Sequence, residues 1–162
     1  MFSAYFFAIK PNDLYSEREG HCLKKLILPE SLVRIGNNVF CASITDIECK
    51  SFSFVAEDGF LLSADKNTLY RYFGTDVIVN IPPSVIFIKS GAFSGIQIKQ
   101  INIPKSVKHI GDNPFASCQE LRRIICNSKN FQVLNDTLYD LQEKRLIACW
   151  NNKTTRFFIK FC

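Results

Sequence analysis

Apolar residues recur about every third position between residues 81 and 124, and the pattern occurs twice in succession. The two segments read IPPSVIFIKSGAFSGIQIKQI and IPKSVKHIGDNPFASCQELRRI. Proline, valine, isoleucine and phenylalanine of the first segment return 22 residues later in the second, and a fixed period of this length indicates a repeat array. The matched positions are Pro82 and Pro104, Val85 and Val107, Ile88 and Ile110, and Phe93 and Phe115.

A third copy of the pattern lies at residues 23–49, where Pro29, Leu32, Ile35 and Phe40 fit the same template. The prolines exclude a continuous helix, and no two-residue alternation runs far enough for an ordinary antiparallel sheet. A period near three instead predicts a chain that winds into coils. Because one coil cannot bury its own apolar face, the coils must stack on one another.

The stacked coils predict ladders of inward side chains through the core. The expected ladders are Phe40, Phe93 and Phe115; Leu32, Val85 and Val107; and Ile35, Ile88 and Ile110. Gly36, Gly91 and Gly111 are expected at the bend before each phenylalanine, where glycine tolerates a positive φ.

Three further segments share a different pattern, a short strand, a polar turn and a second short strand, which predicts β-hairpins inserted between the coils. The sequence thus predicts one mostly β domain over residues 1–162, a solenoid of short stacked strands with inserted hairpins. The expected hairpins cover about 7–23, 54–73 and 131–150, and the expected coils cover about 23–49, 79–101 and 101–126. The last residues, RFFIKFC at 156–162, predict a terminal strand with an unpaired apolar edge.

Charge and hydropathy exclude several classes of function. The net charge is +5, but the 20 basic residues are scattered among 15 acidic ones, so no basic stripe predicts nucleic-acid binding. No apolar run is long enough for a membrane span. The first nine residues are apolar but have no basic residue before them and meet Lys10 and Pro11 at once, so a cleaved signal peptide is not predicted.

Seven cysteines and two histidines show no spacing typical of a metal site. Cys49, Cys118 and Cys126 fall where the repeat requires a small buried apolar residue, which favours free buried thiols over a disulfide framework. His21 and His109 are isolated, and the phosphate-loop, HExxH and GxSxG motifs are absent. The sequence therefore predicts no catalytic, cofactor-binding or metal-binding residues.

The second of the two tandem segments carries a family resemblance. Its residues I103-P104-K-S106-V107-K-H-I110-G111-D-N-P-F115-A-S-C118-Q-E-L121-R-R-I124 closely resemble the BspA-like leucine-rich repeat, IPxSVxxIGxxxFxxCxxLxxI. The other copies depart from this pattern at Ile96 and at Ser43, which replace the cysteine, and at Leu32, which replaces the valine. The resemblance covers roughly residues 20–162.

The resemblance implies a solenoid with a parallel sheet along one face. It also implies adhesion or protein binding at a cell surface or after secretion, with extracellular-matrix and host-cell proteins among the partners, and it implies neither catalysis nor a cofactor. The cytoplasm stays open as an alternative, because no signal peptide is predicted.

Alternation along the predicted strands places one set of side chains outward on the sheet. This candidate protein-binding face comprises Asp46, Glu48, Gln100, Asn102, Arg123 and Ile125. A plain solvated sheet face is the simpler interpretation of the same residues. The alternative function is a structural fragment or cap of a larger repeat array without its own partner, which the terminal strand would allow to self-associate.

Overall fold

The computed structural model describes residues 23–150, which form thirteen short β-strands and no helix. In chain order the strands are β1 (Lys25–Leu28), β2 (Asp46–Cys49), β3 (Phe54–Glu57), β4 (Phe60–Ser63), β5 (Thr68–Tyr72), β6 (Ile78–Asn80), β7 (Phe87–Ile88), β8 (Gln100–Ile103), β9 (His109–Ile110), β10 (Arg123–Cys126), β11 (Phe131–Leu134), β12 (Thr137–Asp140) and β13 (Arg145–Cys149). The predicted hairpin at 7–23 and the predicted strand at 156–162 lie outside the described residues. No helix long and apolar enough to cross a membrane occurs in residues 23–150.

Successive coils contribute strands to parallel sheets. β1 pairs with β2, and β8 lies between β6 and β10 in a second parallel sheet. In that sheet Val79, Ile101 and Ile124 are in register and all three are buried. The predicted β-solenoid is confirmed, because short strands stack coil on coil around an apolar interior.

The inserted hairpins contain three antiparallel strands each, where the sequence pattern predicted two. β3, β4 and β5 form the first hairpin, and β11, β12 and β13 form the second. The additional strand, β3 or β11, precedes a two-residue turn, at Asp58 and Gly59 in the first hairpin and at Asn135 and Asp136 in the second. Both central residues of each turn have positive φ, as a type I′ turn requires. Asp-Gly between two apolar runs is itself a hairpin signal, so the first of these turns could have been predicted from the sequence.

The two hairpins are structural copies, 77 residues apart from Phe54 to Phe131. Their irregularities coincide, since the register shifts between Leu61 and Leu62 in one and between Leu138 and Tyr139 in the other. The repeating unit of this structure is therefore a set of coils together with a three-stranded hairpin.

A serine before each hairpin anchors it to the preceding coil. Ser51 Oγ donates a hydrogen bond to the Leu32 carbonyl oxygen at 2.6 Å, and Ser128 Oγ donates to the Val107 carbonyl oxygen at 2.6 Å. Both serines are buried, so these bonds also satisfy polar groups that would otherwise be costly. The sequence pattern did not single out these serines.

The first hairpin is an internal layer of the solenoid because β4 is buried on both faces. Phe60 and Leu62 pack in the larger core, which holds most of the coil residues after β6, whereas Leu61 packs in a second core with Leu28 and Ile47. β5 then pairs in parallel with β7, and β7 with β9, in one five-stranded sheet. The hairpin thus divides the apolar interior into two cores.

This insertion changes the aromatic ladder that the sequence predicted. Phe93 and Phe115 are buried, and their ring centroids lie 5.5 Å apart, as expected. The next ring along the array is Tyr72 of β5, whose centroid lies 5.8 Å from that of Phe93. Phe40 is only half-buried and packs against the second core, so its predicted place in the ladder is wrong.

Backbone hydrogen bonds explain why Tyr72 takes that place. The Tyr72 backbone N–H donates to the Ala92 carbonyl oxygen at 2.8 Å, just as the Phe93 N–H donates to the Pro114 carbonyl oxygen at 2.8 Å. The end of β5 therefore makes the same backbone hydrogen bond to the next coil that one coil makes to another. Burial raises the pKa of Tyr72 to about 12, and its hydroxyl donates to Asp76 Oδ2 at 2.9 Å.

Only one of the three expected glycines adopts a positive φ. Gly91 does so, at 67°, and its counterparts in the neighbouring coils are Asn38 and Asn113, with φ of 56° and 46°. Gly36 and Gly111 do not occupy this position. Gly111 is required for a different reason, because a Cβ there would lie 2.4 Å from the backbone nitrogen of Ser90. Gly91 and Gly111 therefore occupy different positions in their coils, which explains why they are not separated by the period of 22 residues that the other matched residues follow.

Arg71 of β5 fastens the hairpin layer to the coils on both sides of it. Its side chain is fully buried, and its guanidinium donates to the carbonyl oxygens of Ser94 at 2.8 Å and of Cys41 at 3.2 Å. Burial lowers the pKa of Arg71 to about 10, so the group stays charged at neutral pH. Backbone carbonyls, and no described carboxylate, therefore compensate this buried charge.

The aromatic ladder predicts a large effect of truncation. Phe115→Ala should lower the free energy of unfolding by about 3–5 kcal/mol, because it removes a buried ring and leaves a cavity beside Phe93. Lys105→Ala, at an exposed position of the same coil, should change it by less than about 0.5 kcal/mol. Urea unfolding followed by circular dichroism measures both values, and equal stabilities of the two variants would contradict the ladder.

Candidate functional site

The outward side of β6, β8 and β10, here called the main sheet face, carries polar side chains in register on three parallel strands. Its register places Ile78, Gln100 and Arg123 in one row. The next outward row contains Asn80, Asn102 and Ile125.

Side-chain amides hold this face in one arrangement. Gln100 Nε2 donates to Asn102 Oδ1 at 2.9 Å, and Asn102 Nδ2 donates to Asn80 Oδ1 at 2.6 Å. Arg123 is exposed and makes no ion pair within residues 23–150, whereas Ile125 is half-buried. The face therefore combines fixed amides, a free cation and apolar surface.

The outward side of β1 and β2 has a different character, because charges cover it. Lys25 Nζ lies 3.4 Å from Asp46 Oδ2 and 3.3 Å from Glu48 Oε2, and Lys50 Nζ lies 3.3 Å from Glu48 Oε1. Hydrogen bonding to Glu48 raises the pKa of Lys25, and hydrogen bonding from Lys25 lowers the pKa of Glu48. These carboxylates already have partners on their own sheet.

The six residues of the predicted face thus fall on two sheets. Gln100, Asn102, Arg123 and Ile125 lie together on the main sheet face, while Asp46 and Glu48 lie on the β1–β2 sheet. No backbone ladder joins β2 to β6 in the described chain, and a cavity of 390 Å³ is lined by residues that immediately precede these two strands.

Sequence reasoning missed four side chains that belong to these surfaces. They are Lys25, Ile27, Ile78 and Asn80. The alternation that identified the other residues also applies to β1 and β6, so the signal was available. Ile78 is 54% exposed, which gives the main sheet face an apolar margin.

Thiols and potential metal ligands are the groups in residues 23–150 whose surroundings bear on chemistry. No group of three or more His, Cys, Asp or Glu side chains within residues 23–150 could hold a metal ion. The described cysteines are free thiols; Cys118 is buried, and Cys49 and Cys126 are half-buried. Burial raises the pKa of the Cys118 thiol, whose Sγ donates to the Phe93 carbonyl oxygen at 2.9 Å, so this cysteine is a poor nucleophile.

Solved structures of bacterial repeat proteins resemble this fold. The crystal structure of the pneumococcal vaccine antigen PcpA matches with a TM-score of 0.62 and 29% identity over 66% of this chain. A leucine rich cell surface protein from Faecalibacterium prausnitzii matches with a TM-score of 0.59 and 32% identity over 64% of this chain. A leucine-rich repeat protein from Eubacterium ventriosum, at 23% identity over 65% of this chain and 37% of its own, shares the fold with a TM-score of 0.52.

The chain spans less than a third of the first two of these proteins, 28% of PcpA and 29% of the F. prausnitzii protein. No curated protein sequence matches it. The family model of the BspA type leucine rich repeat region matches residues 18–62 and 70–155 in six copies, which is most of the chain. With its coils, parallel strands and repeated core positions, the chain belongs to the BspA-type leucine-rich repeat family.

Proposed function

We propose that this chain is a protein-binding module that uses the main sheet face. The observation that carries the proposal is the set of hydrogen-bonded amides of Asn80, Asn102 and Gln100. They lie beside the exposed Ile78 and beside Arg123, which has no ion pair within residues 23–150. Side chains held in place by one another lose little conformational freedom on binding, and a partly apolar patch with an arginine suits a protein partner.

The proposed setting is a cell surface or the extracellular space, where the partner is an extracellular-matrix or host-cell protein and the role is adhesion. The names of two similar proteins support this setting, since one is a vaccine antigen and the other a cell surface protein. We also propose that the chain is not an enzyme and needs no cofactor, because its family is built on a structural repeat.

The proposed face predicts the effect of one double variant. Gln100→Glu with Arg123→Glu replaces an amide and a cation by carboxylates, so a partner captured by pull-down from extracellular-matrix or host-cell surface extract should bind at least about tenfold more weakly. Lys129→Glu with Gln132→Glu makes the same chemical change at exposed positions near and within β11 and should bind normally. If the first variant binds the captured protein as well as the unchanged chain does, the main sheet face is not the site.

The alternative, a piece or cap of a larger array, rests on a separate observation at the second hairpin. Leu69 of β5 is fully buried because β7 of the next coil covers it, but its counterpart in β13, Leu146, is 53% exposed. In residues 23–150, β13 pairs only with β12, and β10 pairs only with β8. Uncovered edges of this kind favour pairing with further strands.

This alternative predicts self-association at the β13 edge. The apparent mass of the chain should rise with concentration in size-exclusion chromatography with light scattering, and Leu146→Lys should abolish the rise because a charge cannot be buried there. Leu134→Lys, at a similarly exposed leucine of β11, should leave it unchanged. A monomer at every concentration would contradict assembly through this edge.

A further inference from the structure

A second exposed surface lies on the parallel strands β5, β7 and β9, away from the main sheet face. Thr68, Phe87 and His109 stand side by side in register on these strands. Tyr70 of β5 continues this surface, together with Lys89 and Gly111, which directly follow β7 and β9. We call the six residues the aromatic groove.

Phe87 and His109 form a stacked aromatic pair in this groove, here called the platform. Their rings are stacked, with centroids 4.9 Å apart and planes 6° from parallel. Phe87 is 40% exposed and His109 is also exposed, so the stack presents apolar surface to solvent. The two residues lie 22 positions apart, so the repeat period itself aligns them, although only the inward positions were matched from the sequence.

A cation stands beside the platform. Lys89 Nζ lies 5.6 Å from the centroid of the Tyr70 ring, and the Tyr70 ring packs edge-on against Phe54, with centroids 5.2 Å apart. Since Phe54 belongs to the second core, Tyr70 is held firmly and positions the lysine. Lys89 forms no ion pair with any carboxylate in residues 23–150.

Gly111 keeps the space between these groups open. A cavity of 450 Å³ lies here, lined by the platform, Lys89 and Gly111 among others. A Cβ at position 111 would lie 2.4 Å from the Ser90 nitrogen, so close backbone packing requires the glycine and no side chain can fill the space from this position.

The charges around the groove favour a negatively charged ligand. Among the residues of the described range 23–150 that line the cavity, Lys89 alone carries a fixed charge, and none is Asp or Glu. Two carboxylates lie near the groove. Asp112 is paired with Arg145, whose Nη1 lies 2.9 Å from Asp112 Oδ1. Burial and then the charge of Asp65 raise the pKa of Tyr70, and the Asp65 carboxylate accepts hydrogen bonds from Ser63 and Asn67. A carboxylate that reached Lys89 would therefore meet no competing acid on the cavity wall.

From this geometry we infer that the aromatic groove binds an acidic peptide segment of a partner protein. A carboxylate of the segment pairs with Lys89, and a neighbouring aromatic or proline side chain lies on the Phe87–His109 platform. Aromatic anchors beside a cation are typical of the centres of protein interfaces. This site is separate from the main sheet face, so either can fail without the other.

Selection from a phage-displayed random peptide library on the immobilised chain tests the inference. Enriched peptides should carry Asp or Glu next to an aromatic residue or proline. The most enriched sequence, made as a fluorescein-labelled peptide, should bind at least about tenfold more weakly to Lys89→Glu and to Phe87→Ala than to the unchanged chain. Lys89→Arg should retain binding, and added salt should weaken it.

Two controls keep the result specific. Arg123→Glu, a charge reversal on the main sheet face, should bind the peptide normally, and thermal unfolding should show that the groove variants remain folded. A peptide with Lys in place of each Asp and Glu should bind Lys89→Glu better than the original peptide does. The inference is overturned if no peptide is enriched over empty beads, if enriched peptides lack acidic residues, or if both groove variants bind the peptide normally.

Discussion

Burial of strand β4 on both faces is the constraint on which the rest of this structure depends. Phe60 and Leu62 of this strand pack in one core, and Leu61 packs in the other. The next strand of the first hairpin, β5, supplies Tyr72 to the aromatic ladder and Arg71 to the coils on either side. The coils before and after the hairpin are therefore held together through it.

The same insertion determines which surfaces the molecule offers. It separates β2 from β6, so the outward residues of the coils form a charged sheet and an amide-rich sheet rather than one continuous face. It also brings β5 beside β7, which places Tyr70 next to Lys89 and completes the aromatic groove. The aromatic groove thus takes Thr68 and Tyr70 from a segment outside the repeat consensus, whereas the main sheet face consists of coil residues alone.

The sequence predicted what the repeat itself controls. A period of 22 residues aligned Val85 with Val107 and Phe93 with Phe115, and these residues are buried as expected because each coil has the same inward positions. Alternation also placed Gln100, Asn102 and Arg123 correctly on the outward side of the sheet.

The repeat pattern could not predict contacts across the inserted hairpin. Phe40 matches Phe93 in pattern, but the ring that meets Phe93 is Tyr72, since three-dimensional order along the array differs from repeat order in the chain. Ser51 and Arg71 were missed for a related reason, because their partners are backbone carbonyls of other coils.

A double-mutant cycle tests the central claim most directly, that the first hairpin is an internal layer and its Tyr72 a member of the ladder. Tyr72→Leu and Phe93→Leu, measured singly and together by urea unfolding, should show a coupling free energy of about 0.5–1.5 kcal/mol, because rings in contact stabilise each other beyond their separate burial. The matched cycle of Phe40→Leu with Phe93→Leu should show coupling near zero. Strong coupling of Phe40 to Phe93, with none between Tyr72 and Phe93, would contradict the account.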